Sequence, residues 1–273
     1  MTQPTTLAAV RTIATRDGPM LALSGDVYIT RSLMLYGEYC PDEARALAQL
    51  VKPGMTVIEV GANMGTHTVA LARSCAPGLL YAFEPQHRVF QILCANLALN
   101  DIGNVRAFPE ASGAQAGWAT IPQLDYAAVG NFGGVSAQGG AVSGAAAVRV
   151  TPIDDLALPA CDLIKIDVEG WEIEVIQGAA TTIAKHRPIL YVENDRAEKQ
   201  RGLIDLIDGM GYRQYWHAPT LYSPNNFNRV EHNIFGAVAS LNMLCLPKEN
   251  PSTVQGLVEI DPRNWTSPLK LRG

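Results

Sequence analysis

Thr56-Val57-Ile58-Glu59-Val60-Gly61-Ala62-Asn63-Met64-Gly65-Thr66-His67-Thr68 is the stretch whose reading decides the fold. Apolar and β-branched residues run up to an acid, and Gly61 and Gly65 then bracket a turn. Val69, Leu71 and Ala72 follow with helical spacing. This is the pattern of a buried parallel strand entering a glycine-rich turn and a helix N-terminus. Glycines at such a turn let the backbone approach a ligand, and the helix start offers free N–H groups to anionic atoms. The same pattern also describes an ordinary strand-to-helix turn that binds nothing. The acid together with two glycines favours a ligand site.

Outward from this turn, the chain repeats the alternation. Gly78 to Pro85 reads as a second buried strand ending in the acid Glu84, with a helix over 86–99 closed by Asn100. Asn104 to Phe108 is a third strand, Asp162 to Asp167 a fourth, and Pro188 to Glu193 a fifth. Helices are expected from Trp171 onward and over 197–210, and two closing strands at Tyr212–Trp216 and Ile234–Val238. Ahead of the turn, Asp26 to Val51 is amphipathic, with Asp42 and Glu43 suiting a helix N-terminus at Pro41. Nearly continuous apolar strands alternating with helices define a doubly wound, mostly parallel α/β sheet. Residues 1–52 are read as a lead-in and helical cap, 53–247 as the core, and 248–273 as a surface tail. Residues 109–147, rich in Gly, Ala and Ser, form an irregular strand-and-loop insertion, because Trp118, Ile121, Tyr126 and Phe132 are spaced through it.

In such sheets a ligand sits beyond the carboxyl ends of the strands. Here those ends carry Glu59, Glu84, Asp167 and Glu193, so one edge of the sheet collects acids. Structural capping would account for one or two of them; four point to a site. A net charge of −5 and the lack of a dense Lys/Arg run argue against a nucleic-acid partner. No apolar run approaches a membrane span. Five scattered cysteines without a CxxC pair fit reduced thiols and a cytoplasmic setting.

Three runs are more particular. Glu59-Val-Gly-Ala-Asn-Met-Gly65, Phe83-Glu84-Pro85 and Leu163-Ile-Lys-Ile-Asp-Val-Glu-Gly170 resemble the FkbM family of S-adenosylmethionine-dependent methyltransferases. Asn131-Phe-Gly-Gly-Val135, Tyr191-Val-Glu-Asn194 and Asn242-Met-Leu-Cys245 extend the resemblance. It implies a class I methyltransferase (Rossmann-like) fold, a seven-stranded sheet with a reversed last strand, and transfer of methyl to oxygen. Asn63 stands where the wider superfamily has a middle glycine.

On that resemblance, Glu59, Gly61, Asn63, Gly65, Thr66 and Thr68 are expected around the methionine end of the cofactor. Glu84 suits the ribose hydroxyls, Glu110 and Ala111 the adenine, and Asp167 the methyl. A sugar-type hydroxyl is a poor nucleophile, so a base or a metal is needed. Asp167 and Glu193 are candidate bases, with His232 a remoter one. Asp167, Glu193 and Asn194 together resemble the magnesium site of catechol-type O-methyltransferases by fold position, and such oxygen ligands suit Mg²⁺. Lys165, inside a central strand, is a further catalytic candidate: it either pairs with an acid, Asp167, Glu169 or Glu193, or contacts the acceptor directly. His67 is read as packing or cofactor lining.

The expected partner is a saccharide, glycoconjugate or secondary metabolite, with homo-oligomerisation open. Two other classes stay in view. A nicotinamide-dependent oxidoreductase fits the turn and Glu84, although the turn is not GxGxxG and no Tyr/Lys hydride-transfer pair is evident. A non-catalytic cofactor-binding module is the other.

Overall fold

The structure, a computed structural model, describes residues 10–139 and 144–268. Residues 1–9 of the expected lead-in, Gly140 to Ser143 of the insertion and 269–273 of the tail lie outside the described residues.

The chain begins with a hairpin of β1 (Val10–Thr15) and β2 (Gly18–Leu23), where the sequence reading had only a lead-in. β2 is held because Met20, Ala22 and Leu23 are buried in the core. Next come α1 (Ile29–Tyr36) and α2 (Pro41–Leu50), then β3 (Val57–Val60), α3 (Thr68–Cys75) and β4 (Leu80–Phe83). α4 (His87–Leu99) leads to β5 (Val105–Phe108). The Asn96 side chain of α4 accepts from the Leu21 amide at 2.6 Å and donates to the Leu21 carbonyl at 2.9 Å, which locks the hairpin to that helix.

The insertion is a three-stranded antiparallel sheet. β6 (Gly117–Pro122) lies between β7 (Gln138–Gly139) and β8 (Ala145–Val150). Ile121 and Phe132 are buried as their spacing suggests, but Trp118 is 73% exposed, on the outer face of β6. β9 (Leu163–Ile166), α5 (Glu172–Gln177), α6 (Ala180–His186) and β10 (Ile189–Glu193) restore the alternation. α7 (Gln200–Gly209), β11 (Tyr212–His217), β12 (Asn242–Pro247) and β13 (Val258–Glu259) complete it.

The central sheet runs β13-β11-β12-β10-β9-β3-β4-β5. The five strands from β10 to β5 pair in parallel, and β12 is antiparallel to both of its neighbours. These are the seven expected strands with one reversed, and β13 adds an eighth at the edge. The last long strand is Asn242–Pro247 rather than Ile234–Val238. All six of its residues are buried, which a strand inserted between β10 and β11 requires. Residues 234–238 lie outside the strands, where Phe235 packs on Tyr36 of α1. Helices on the two faces of the sheet produce two apolar clusters, one around Leu71, Leu93 and Tyr191 and one around Ile164, Ile176 and Ile204. No helix among the described residues is long and apolar enough to cross a membrane.

Candidate active site

A cavity of about 320 Å³ opens at the carboxyl ends of β3, β4, β9 and β10. Its wall contains Glu59, Gly61, Asn63, Thr66 and Glu84 from the first two strand-to-helix turns. Glu110 and Ala111 line it after β5, Lys165 from within β9, Asp167 just after it and Glu193 at the last position of β10. Parallel pairing brings these residues together, because each strand end turns into its helix on the same edge.

The turn after β3 is shaped by close approaches. Gly61 has φ +86, and a Cβ on it would sit 1.8 Å from the Asp167 carbonyl oxygen. Its glycine therefore serves the junction of β3 with β9, rather than only the approach of a ligand. Gly65, outside the cavity wall, has φ +88 and would press a Cβ to 2.8 Å from Leu93, so it serves the contact of the turn with α4. Thr68 is fully buried and donates to Glu59 Oε2 at 2.7 Å.

Glu84 is gripped by the backbone. Its Oε2 accepts from the Asn63 amide at 2.9 Å and its Oε1 from the Gln86 amide at 2.8 Å. Burial pushes Glu84 up to about 7, against the pull of those two amides. Burial also pushes Glu59 up to about 7, with Lys165 and Thr68 opposing.

Lys165 is 1% exposed and pairs with Asp167 Oδ2 at 3.2 Å and Glu43 Oε1 at 3.6 Å. Burial alone would depress its pKa, but the carboxylates of Asp167, Glu43 and Glu59 outweigh it and hold the ammonium above its ordinary value. Sequence reasoning listed Asp167 as a partner and missed Glu43. That acid reads locally as a first-turn residue of α2, and only the docking of α2 over the sheet brings it inward.

Asp167, Glu169 and Glu193 each place a carboxylate oxygen within 4.8 Å of the others. Glu169, at φ +57, is paired with Arg196, which also lines the cavity. Glu193 is 7% exposed, and its buried Oε2 has no hydrogen-bond partner. Burial, then the nearby charges of Asp167 and Glu169, holds Glu193 well above the usual carboxylate range. Asn194 does not join this cluster. One residue past the end of β10, its side chain turns to Met243 Sδ at 3.3 Å, and Glu169 stands where the acid–amide pair was expected. His232 also lies elsewhere: its carbonyl accepts from Tyr36 Oη at 2.9 Å, and it is absent from the cavity wall.

At the β5 end, the Ala111 amide donates to the Arg149 carbonyl and the Ala111 carbonyl accepts from the Thr151 amide. Glu110 accepts from Thr151 Oγ1. Ser112, which sequence reasoning passed over, lines the cavity with a buried, unpartnered hydroxyl. Its carbonyl accepts from Trp171 Nε1 at 3.1 Å. The roof is the Asn131–Val135 segment. Asp26 Oδ2 accepts from the Phe132 amide at 3.3 Å, and Gln86 Nε2 donates to the Phe132 carbonyl at 2.9 Å.

A mostly parallel sheet with the reversed strand β12 near one edge, helices on both faces and an acid-lined cavity across its first strand-to-helix turns defines the class I, Rossmann-like methyltransferase fold. Residues 59–214, more than half of the chain, match the family model described as the methyltransferase FkbM domain. The chain belongs to that family. It is 28% identical over 179 residues to the methyltransferase sdnD of Sordaria araneosa, a match covering 53% of this chain and 67% of that protein. Among solved structures it is similar to an FkbM methyltransferase from Methylobacillus flagellatus KT at 16% identity and a TM-score of 0.46. That match covers 74% of this chain, which spans half of the other. It is also similar to TYW2 of M. jannaschii in complex with AdoMet, at 11% identity and a TM-score of 0.45, over 87% of this chain and 85% of that one.

Proposed function

We propose that the chain transfers a methyl group from S-adenosylmethionine to a hydroxyl of a saccharide, glycoconjugate or secondary metabolite. The observation that carries this reading is Glu84, fixed by two turn amides at the second strand end, with the acid-lined cavity beside it. Each Glu84 oxygen keeps a further lone pair, which suits a ribose diol. The unpartnered Ser112 hydroxyl and Trp171 fit the adenine end, and Asn63 and Thr66 the amino-acid end. The cofactor supplies an electrophilic methyl on a cationic sulfur, and the excess of acids over Lys165 and Arg196 along the wall favours that cation.

Towards the acceptor, Asp167 is steered by Lys165 and accepts a hydrogen bond from a second hydroxyl of the acceptor, which holds the reacting one in line. Glu193, whose charged form is disfavoured by burial and by the nearby Asp167 and Glu169, faces the acceptor from the end of β10. Tyr28, Tyr39 and Leu221 close the wall as apolar faces for the acceptor's body. The test is transfer from methyl-labelled S-adenosylmethionine to a panel of sugars and hydroxylated metabolites. An alkali-stable methyl ether is expected. Label recovered on nitrogen or carbon would overturn the oxygen assignment.

The Asp167–Glu169–Glu193 oxygens favour a second reading in which a divalent cation assists deprotonation. Hard oxygen donors suit Mg²⁺, although Lys165 and Arg196 already pair with two of the three acids. Transfer that survives exhaustive chelation would remove it.

A further inference from the structure

His67 and Glu43 are buried, titratable and idle in the roles above. His67 lines the cavity from the start of α3, and Glu43 reaches in from α2. His67 Nε2 lies 3.7 Å from Glu43 Oε1, and neither atom has a hydrogen-bond partner. Two orphaned polar atoms facing each other at that distance need only a small closing movement to bond, and leaving both unpaired is costly. The same Glu43 oxygen faces Lys165 Nζ at 3.6 Å, so the carboxylate is held in place from its other side. A carboxylate that takes the Nε2–H selects the tautomer with a bare Nδ1. Among the described residues Nδ1 has no partner, and His67 borders the open cavity.

The other acids there are engaged. Asp167 is paired with Lys165, Glu59 with Thr68, Glu84 with the turn amides, Glu169 and Asp195 with Arg196 and Glu110 with Thr151, while burial disfavours the charged form of Glu193. Burial lowers the pKa of His67, with Glu43 opposing and Lys165 adding to the effect, so the ring is neutral at pH 7. Asp167 at the end of β9, Asp17 in the hairpin turn and the ring of Tyr39 complete its surroundings.

We propose that His67 is the general base of the transfer, with Glu43 as its positioning residue. This rests on the methyl-transfer reading above and deepens it. The acceptor O–H breaks toward Nδ1, the oxygen's electron pair forms the new O–C bond, and the C–S bonding pair returns to sulfur. S-adenosylhomocysteine, the methylated acceptor and an imidazolium paired with Glu43 are left.

The test is nitrogen-15 NMR of the histidine-labelled full chain, alone and saturated with S-adenosylhomocysteine. His67 is expected to carry its proton on Nε2 with Nδ1 bare at neutral pH. Glu43→Gln, which removes the charge and keeps an acceptor, should lower its apparent pKa by about one unit. His67→Gln should bind S-adenosylhomocysteine within about threefold of the parent chain by calorimetry. On an acceptor methylated in the assay above, His67→Gln should lower kcat by about a hundredfold or more, with KM for S-adenosylmethionine unchanged. A proton on Nδ1, a charged ring at pH 7, or an unmoved pKa in Glu43→Gln would overturn the proposal. So would a tenfold loss of product affinity in His67→Gln, which would make the ring a cofactor contact. If the parent chain binds no S-adenosylhomocysteine, the methyl-transfer reading fails instead, while the tautomer is still read in the unliganded chain.

Discussion

Lys165 shows what a single residue demands of this fold. A buried ammonium needs counter-charges, and the chain supplies them from β9 itself and from α2. Removing it by Lys165→Met leaves Glu43 and Asp167 uncompensated and should cost about 3–5 kcal/mol of stability, read by denaturant unfolding. Glu59 and Glu84 give a pH dependence of opposite usefulness to folding and binding. Both are raised to about 7 in the folded chain, so between about 4.5 and 7 the folded chain keeps protons that the unfolded chain has released. Their contribution to stability therefore falls as pH rises through that window and levels off above it. Thermal unfolding at pH 5 and pH 8 should show a smaller loss in Glu59→Gln and Glu84→Gln than in the parent chain. Ligand affinity should move the other way. If ionised Glu84 accepts the ribose hydroxyls, S-adenosylhomocysteine affinity rises by up to about tenfold per pH unit below 7 and then flattens. The strand-end acids were legible in the sequence because each closes an apolar run. Glu43 and Ser112 were not: nothing local separates a first-turn helix acid, or a serine after a strand, from a solvated one. Asn194 misled because one step past a strand end reverses the face on which a side chain lies.

Among elements, the turn after β3 and the roof over the cavity are the informative pair. Gly61→Ala would drive a Cβ into the Asp167 carbonyl at a φ of +86. It should destabilise by about 1–3 kcal/mol and disturb the β3–β9 junction, with amide exchange quickening at Gly61 and Asp167. The roof is tied down by buried Asp26, which also accepts from the Thr30 amide at the start of α1 at 2.9 Å. Asp26→Ala should free the Asn131–Val135 segment, seen as faster exchange at Phe132 with the sheet unaffected. The parallel strands β3, β4, β5, β9 and β10 were read correctly because parallel strands buried in a sheet are mostly apolar. The opening hairpin escaped notice because β1 mixes polar and apolar residues without alternation and β2 opens on Gly18-Pro19. The last long strand was placed early because Ile234 to Val238 is as apolar as Asn242 to Pro247. Only the six buried positions between β10 and β11 tell the two apart.

At the scale of the molecule, the parallel core gathers residues from Glu59 to Arg196 around one cavity, and the start of α1 and the insertion close over it. The sheet order could be expected only from the resemblance of three short runs to a known family. Periodicity alone gave a doubly wound sheet without its reversed strand. What the sequence left open is the pairing of groups distant in the chain, Glu43 with Lys165 and His67 above all, because such contacts leave no periodic signature. Methyl transfer by this chain requires that the cavity hold the methyl donor. Calorimetric titration with S-adenosylmethionine and S-adenosylhomocysteine tests that directly. Binding in the range of about 1–100 μM is expected, weakened by about tenfold or more in Glu84→Gln. Absence of binding by either compound, with NAD instead protecting the chain against thermal unfolding, would contradict it.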